Sequence, residues 1–273
     1  MAEEISGKGD PLKSLQLLWG KAEPPKRGPK SKVRLQDLVA AAVEIADREG
    51  IAAVSTRRVA DAVGISAMSF YTHIPDKAVL IDLMLDAIAA GPEDAADPEF
   101  DPAEWRSNIT FVATAFRDFY LAHPWALEVG THRPVLGPNT MRAYEAILRA
   151  VDGLGLNEVE MDMSVTLITN YVYGAVRDVA RASQVKQRTG MSDDEWWYTI
   201  APFLETLDFS PYPVANRVGP VVGELYGLGD PDRAFQFGLE RLLDGLGVLI
   251  ASREGSDQAL PLGPTAEVGT SRG

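Results

Sequence analysis

Residues 33–90 contain the feature that most constrains the fold, a tight turn between two stretches with helical apolar spacing. Gly64 stands where such a turn needs an unusual backbone angle, which glycine adopts at low cost. Ile65 follows as an apolar plug, and Ser66 is placed to cap the next helix. The layout predicts a helix-turn-helix.

The apolar pattern divides this block into four helices. The first ends at Gly50, and the second opens with Ser55 or Thr56 as its N-cap. The third is short, with Phe70 and Ile74 directed inward and a mainly polar face opposite them. A fourth amphipathic helix follows directly and is expected to hold the motif onto the rest of the chain.

Turn glycines are common in helical proteins, so the turn alone says little about function. Here the turn, the core positions and the exposed positions agree together, and the block closely resembles the DNA-binding domain of the TetR family of transcriptional regulators. The match is carried by residues 56–60, 64–66, 70–73 and 76–77. The resemblance implies an all-α protein with a DNA-binding domain at residues 33–78 and a larger helical ligand-binding and dimerisation domain at residues 79–253.

Roles in DNA binding are carried over from this resemblance position by position. It implies phosphate contacts for Thr56, Arg57, Tyr71, His73 and Lys77, and base-facing positions for Ala67, Met68, Ser69 and Thr72, with Arg58 and Ser66 completing the candidate set. No Arg, Gln or Asn stands at the base-facing positions, so bidentate readout of guanine or adenine from this helix is not expected. Sequence choice is instead expected to rest on Met68 or Thr72 against thymine methyls, on the two arginines and on DNA shape.

The charge is distributed unevenly along the chain. The 273 residues include 26 Lys and Arg against 39 Asp and Glu, a net charge of -13, which repels DNA if it is spread evenly. Residues 21–77 hold 10 basic and 7 acidic residues, whereas residues 78–273 hold 14 basic and 29 acidic ones. The acidic part either orients the basic end toward DNA or serves solubility alone.

Residues 1–32 are predicted to be a flexible basic arm that includes a short amphipathic segment around residues 12–19. Residues 21–34 are rich in proline, glycine and positive charge, a composition that cannot bury a core. Two interpretations stay open, a solvated leader or an arm that reaches an adjacent minor groove. The basic candidates for groove contact are Lys26, Arg27, Lys30 and Lys32. At the other end, residues 254–273 are predicted to be a disordered tail.

The second domain is also predicted to be helical, because alternating strand patterns are missing. Its helices are expected at residues 139–152, 157–182, 192–207 and 230–252, after one that begins near Asp101. Near the C-terminus, an apolar stripe serves either as a dimer interface or as ordinary core within the chain. The stripe consists of Phe235, Gly238, Leu239, Leu242, Leu246 and Leu249.

A polar stripe on the long helix after residue 157 is the candidate ligand site. Thr166, Asn170, Tyr173 and Arg177 recur at helical spacing, and Phe116, Tyr120 and Trp125 supply aromatic walls. The stripe binds a small molecule, pairs with another helix or faces water. The aromatic content favours a hydrophobic or aromatic effector.

Enzymatic function is the rival class, together with a helical small-molecule-binding protein that does not act on DNA. The chain has no cysteine, and no phosphate-binding glycine loop, zinc signature or nucleophile elbow, so neither a cofactor nor catalysis is expected. No membrane span or export signal is evident, which favours a cytoplasmic location. The resemblance implies a homodimer that represses from a palindromic double-stranded DNA operator and is released by a small-molecule effector, with activation as the alternative sign.

Overall fold

The computed structural model describes residues 4–22, 33–91, 98–130 and 133–254. All the regular elements in these ranges are helices, and the one extended pairing is a parallel bridge between Ile5 and Gly130. The all-α prediction is therefore confirmed. Lys26, Arg27, Lys30 and Lys32 lie outside the described residues, as do residues 255–273 of the tail predicted at residues 254–273.

Eleven α-helices lie in the described ranges. They are α1 (Pro11–Leu18), α2 (Leu35–Glu49), α3 (Thr56–Ala62), α4 (Ala67–His73), α5 (Lys77–Ile88), α6 (Trp105–Ala122), α7 (Pro138–Val151), α8 (Glu158–Thr189), α9 (Asp193–Leu204), α10 (Pro213–Tyr226) and α11 (Pro231–Glu254). A 3-10 turn, Pro124–Glu128, links α6 to the loop before α7. None of the helices in the described ranges is long and apolar enough to cross a membrane.

Local capping explains where the helices of the N-terminal half begin. The Ser55 hydroxyl accepts from the Arg58 amide at 3.3 Å, and the Ser66 hydroxyl accepts from the Ser69 amide at 3.1 Å. Gly64 has a φ of 76°, in the left-handed region where a side chain is strained. The turn between α3 and α4 therefore forms where the sequence predicts it.

Helix α5 joins the two halves of the molecule. Its apolar residues, among them Leu80, Ile81 and Met84, pack in one core with α2, α3 and α4. Trp125 and Val129, which follow α6, insert into the same core. A second core is formed by α6, α7, α8 and α11, together with Leu127 of the 3-10 turn.

The apolar stripe of α11 belongs mainly to this second core. Phe235, Leu239 and Leu246 are buried within the chain, so these side chains are not available to a partner. Helix α10 was not expected from the sequence, and neither α9 nor α10 contains a buried residue.

A carboxylate of α5 caps α7. Asp86 is 3% exposed, and its Oδ1 accepts from the backbone amides of Asn139 at 3.1 Å and Thr140 at 2.9 Å. A Cβ on Gly137 would collide with this carboxylate. The amides at a helix N-terminus otherwise have no partner within the helix. Asp86 therefore ties the N-terminal half of the molecule to the first turn of α7.

We expect Asp86→Ala to destabilise the protein by about 2–4 kcal/mol, because it leaves buried amides of α7 without their acceptor. Urea unfolding followed by circular dichroism measures this loss. The matched control is Glu145→Ala, which removes an exposed carboxylate from α7, the helix that Asp86 caps. Equal midpoints for the two variants would contradict the capping role.

Candidate DNA-binding surface and effector cavity

Helix α4 presents one apolar and one open face. Phe70 is fully buried on the inner side, and Ile74, just past the helix end, is fully buried as well. On the outer side Met68 is 78% exposed and Tyr71 is 49% exposed. The exposed side also carries Ala67, Ser69 and Thr72, so the candidate base-facing residues share one surface.

Hydroxyl groups connect α3 and α4 at the edge of this surface. Thr56 Oγ1 and Tyr71 OH lie 3.2 Å apart, which joins the start of α3 to the middle of α4. Thr72 Oγ1 donates to the Ser69 carbonyl at 2.6 Å. Thr56 and Tyr71, two candidate phosphate ligands, are thus held side by side. Phosphate contacts of this kind fix the position of a protein along DNA.

The candidate cations differ in what they already bind. The Arg57 side chain is 87% exposed and lies 3.9 Å from Asp61. Arg58 donates to Glu49 at 2.8 Å and to the Ala53 carbonyl at 3.3 Å.

Lys77 and His73 lie at the end of the motif. The Lys77 ammonium lies 2.7 Å from a Glu4 carboxylate oxygen, with each side chain about 30% exposed. His73 is partly buried, and its Nε2 has no hydrogen-bond partner among the described residues.

A cavity of about 1050 Å³ lies between α2 and α5 on one side and α6, α7 and α8 on the other. Ala40 and Val43 of α2, with Leu85 and Ile88 of α5, line one side. The opposite side is lined by aromatic and hydroxyl groups of α6, α7 and α8. These include Phe116, Phe119, Tyr120, Thr140, Tyr144 and Thr166.

The structure separates the candidate ligand residues into two groups. Phe116, Tyr120 and Thr166 line the cavity, whereas the other four lie outside its lining. Trp125 is 1% exposed and its indole donates to Asp47 Oδ1 at 2.7 Å. Tyr173 OH donates to the Leu127 carbonyl at 3.1 Å, and its ring packs edge-on against that of Tyr120 in the lining. Asn170 and Arg177 are exposed on α8.

Sequence reasoning missed the side of the cavity that faces the DNA-binding helices. Ala40 and Val43 have the small apolar character of ordinary core positions, so no local signal distinguished them. Thr140 lies on α7, for which no polar stripe was predicted.

Tyr144 and His123 line the cavity too, and His123 Nδ1 lies 2.8 Å from Asp47 Oδ1 on α2.

The cavity is electrostatically mild. Burial raises the pKa of Tyr120 to about 12, so its phenol stays neutral at physiological pH. A hydrogen bond to Asp162 raises the pKa of Tyr144. Among the described residues, the lining contains the Asp118 carboxylate and no lysine or arginine.

An exposed helix-turn-helix surface joined to a helical domain with a large cavity defines a ligand-responsive type of transcriptional regulator. Residues 38–84 match the model of the bacterial regulatory proteins of the tetR family. Residues 97–250 match the tetracyclin repressor-like C-terminal domain. The chain belongs to the TetR family, and it is a DNA-binding transcriptional regulator.

Individual relatives agree with this assignment. The chain is 39% identical over 254 residues to the HTH-type transcriptional repressor DrrR1 of Streptomyces coeruleorubidus, covering 92% of this chain and 91% of that protein. It is 25% identical to the class A tetracycline repressor protein from transposon 1721 of Escherichia coli, over 79% of this chain and 91% of the repressor. The structure of ActR from Streptomyces coelicolor in complex with actinorhodin has the same fold, with a TM-score of 0.64 at 24% identity, covering 79% of this chain and 96% of ActR.

We expect the two arginines of α3 to affect DNA binding differently. Arg57→Ala should lower operator affinity and reduce the slope of log affinity against log salt by about one per DNA-bound motif, since a phosphate contact is lost. Arg58→Ala should leave that slope unchanged, because its guanidinium is held by Glu49 and Ala53. Fluorescence anisotropy with labelled operator DNA at several salt concentrations measures both slopes. A smaller slope for Arg58→Ala than for Arg57→Ala would reverse the assignment.

Proposed function

We propose that the protein is a homodimeric repressor that acts in the cytoplasm, binds a palindromic operator and is released by a large aromatic or hydrophobic effector. The observation that carries the proposal is the position of the cavity. Ala40 and Val43 of α2 and Ile88 of α5 form its inner side, so an occupant contacts the helices that hold the DNA-reading helix α4. Binding and DNA reading therefore share structural elements.

A second connection runs through the 3-10 turn Pro124–Glu128. Ala126 lines the cavity, while Trp125 packs in the core of the DNA-binding helices. His123 and Trp125 both hydrogen-bond to Asp47 Oδ1, at 2.8 Å and 2.7 Å. An effector that displaces His123 or Ala126 therefore alters the contacts that hold α2 in position.

Release requires that the effector bind one conformation of the dimer more tightly than another. DNA affinity then falls by the difference between the two binding free energies. The geometry supports this, because α2 and α5 form part of the cavity wall and any displacement of these helices changes the shape of the cavity.

The sign of regulation is supported by DrrR1, the relative that is named a transcriptional repressor. Activation stays the alternative sign.

The lining supports an effector with flat rings and few charges. Aromatic side chains of α6 and α7 offer faces for stacking, and the hydroxyls of Thr140, Thr166 and Thr169 offer hydrogen bonds to ring substituents. Asp118 is the acidic group at the lining, which suits a neutral or cationic compound better than an anion. ActR, which shares the fold, was solved with actinorhodin bound.

The homodimer is supported by apolar surface that the chain does not cover itself. Trp197 of α9 packs against Gly223 and Gly227, but most other apolar side chains of α9 and α10 face solvent. Monomeric proteins rarely expose an apolar surface of this extent. We assign it to a second copy, which also supplies the second helix-turn-helix that a palindrome needs. The exposed side chains include Trp196, Tyr198, Phe203, Tyr212, Val214, Val221 and Leu225.

The effector role is tested by filling the cavity. We expect a panel of fused-ring aromatic compounds, with actinorhodin as the first probe, to contain members that release the wild-type protein from labelled DNA upstream of its own gene. Ala143→Trp places an indole in the cavity and should bind the same DNA without being released. Anisotropy measures release and tryptophan quenching measures binding. Equal release of wild type and variant by the same compound would refute the cavity as the effector site. Absence of a specific DNA complex at moderate salt would instead refute the regulator function.

The dimer is tested on α10. Val221, 65% exposed, is changed to arginine, which places a charge in the proposed interface. We expect a monomer by sedimentation and a loss of operator affinity of about 10²-fold, because the two DNA-binding motifs no longer bind together. The control is Val159→Arg, an equally drastic change at a 53% exposed position at the start of α8. A Val221→Arg variant that stays dimeric at micromolar concentration would exclude this surface.

A further inference from the structure

Residues 4–22, the N-terminal strap, lie outside both matched family regions, which begin at residue 38 and residue 97. The strap is nevertheless part of the packed structure. Its first residues pair with Gly130, through the Ser6 amide to the Gly130 carbonyl and the Gly130 amide to the Glu4 carbonyl, both at 2.9 Å. Ser6 is fully buried, and α1 packs along α5.

The anchor of the strap is a buried carboxylate of α5. Asp82 is 3% exposed and accepts from the Gly7 amide at 2.9 Å and from the Ser14 hydroxyl at 2.7 Å. A carboxylate buried in this way requires hydrogen-bond donors, and here the strap provides them. Gly7 has a φ of 64°. A Cβ on Gly9 would lie 3.1 Å from Val79 Cγ2, so the strap passes very close to the first turn of α5.

The anchored strap places one acidic side chain, Glu4, at the candidate DNA-binding surface. Glu4 reaches Lys77, the first residue of α5, at 2.7 Å. The family resemblance implies that the Lys77 ammonium contacts a DNA phosphate. A phosphate on Lys77 is repelled by a carboxylate a few ångströms away, because like charges at that distance interact strongly near a protein surface. Glu4 and DNA therefore compete for the same ammonium group.

We propose that Glu4 sets the affinity for DNA by competing with a phosphate for Lys77, and that Asp82 is the positioning residue that holds the strap so that Glu4 stays there. The inference rests on the proposed function, since it takes Lys77 as a phosphate ligand. It adds an internal competitor at the DNA surface, built from a segment outside the matched domains. The strap also binds the loop before α7, where the Ser6 hydroxyl donates to the Arg133 carbonyl at 2.7 Å.

The first experiment uses full-length Glu4→Gln. We expect it to bind DNA upstream of its own gene about two- to fivefold more tightly than wild type at low salt, the range for a partly exposed ion pair. The slope of log affinity against log salt should become steeper, because Lys77 then neutralises a phosphate without competition. The control, Glu145→Gln, removes one negative charge from the exposed side of α7 and should match wild type.

Two further variants separate competition from general charge. In a Lys77→Gln background, Glu4→Gln should give no gain. Asp82→Asn should lower the melting temperature and yet tighten DNA binding, a direction that simple structural damage does not produce. The proposal is overturned if Glu4→Gln leaves affinity unchanged, if its gain persists without Lys77, or if Asp82→Asn only weakens binding. Failure of the wild-type protein to bind specific DNA instead rejects the proposed function itself.

Discussion

Two buried carboxylates, one helical turn apart on α5, hold this structure together. Asp82 and Asp86 are each 3% exposed, and the hydrogen bonds they accept come from neutral backbone amides, hydroxyls and a side-chain amide. Asp82 binds the N-terminal strap and Asp86 binds the start of α7. Because a buried carboxylate without partners is costly, α5 cannot slide or rotate freely relative to either element. The position of the DNA-binding motif is therefore linked to segments on both sides of it.

The same helix forms part of the cavity. Leu85 and Ile88 line it from α5, while the carboxylate of Asp86 caps α7, whose Thr140 and Tyr144 line it from the other side. A change in cavity shape therefore acts on elements that are already joined by hydrogen bonds. Packed interfaces of this kind tend to have discrete arrangements rather than continuous deformation, which is the behaviour that a switch needs.

Much of the fold could be predicted because its signals are local. The caps at Ser55 and Ser66 and the glycine turn lie within a few residues of the helices that they define. Helix α10 was missed because Pro213 and Pro220 interrupt the pattern, although the first proline sits at a helix start, where it is tolerated.

The cavity could be predicted only in part. Of the polar stripe on α8, only Thr166 lines it, since which face of α8 is covered depends on α6 and α7 rather than on α8 itself. Asp82 and Asp86 are typical surface residues by type, so their burial followed from tertiary packing alone.

The candidate base-facing residues of α4 give the proposed switch a particular character. Ala67, Met68, Ser69 and Thr72 are small or apolar, apart from two short hydroxyls, so they offer few hydrogen bonds to base edges. In the proposed dimer, affinity must then depend more on phosphate contacts and on the simultaneous fit of two motifs to DNA shape. Phosphate contacts and spacing are the properties that a small displacement of α2 or α5, or a carboxylate next to Lys77, changes most. A regulator that reads bases weakly is therefore released by modest movements, because little direct base contact remains to hold it on the operator.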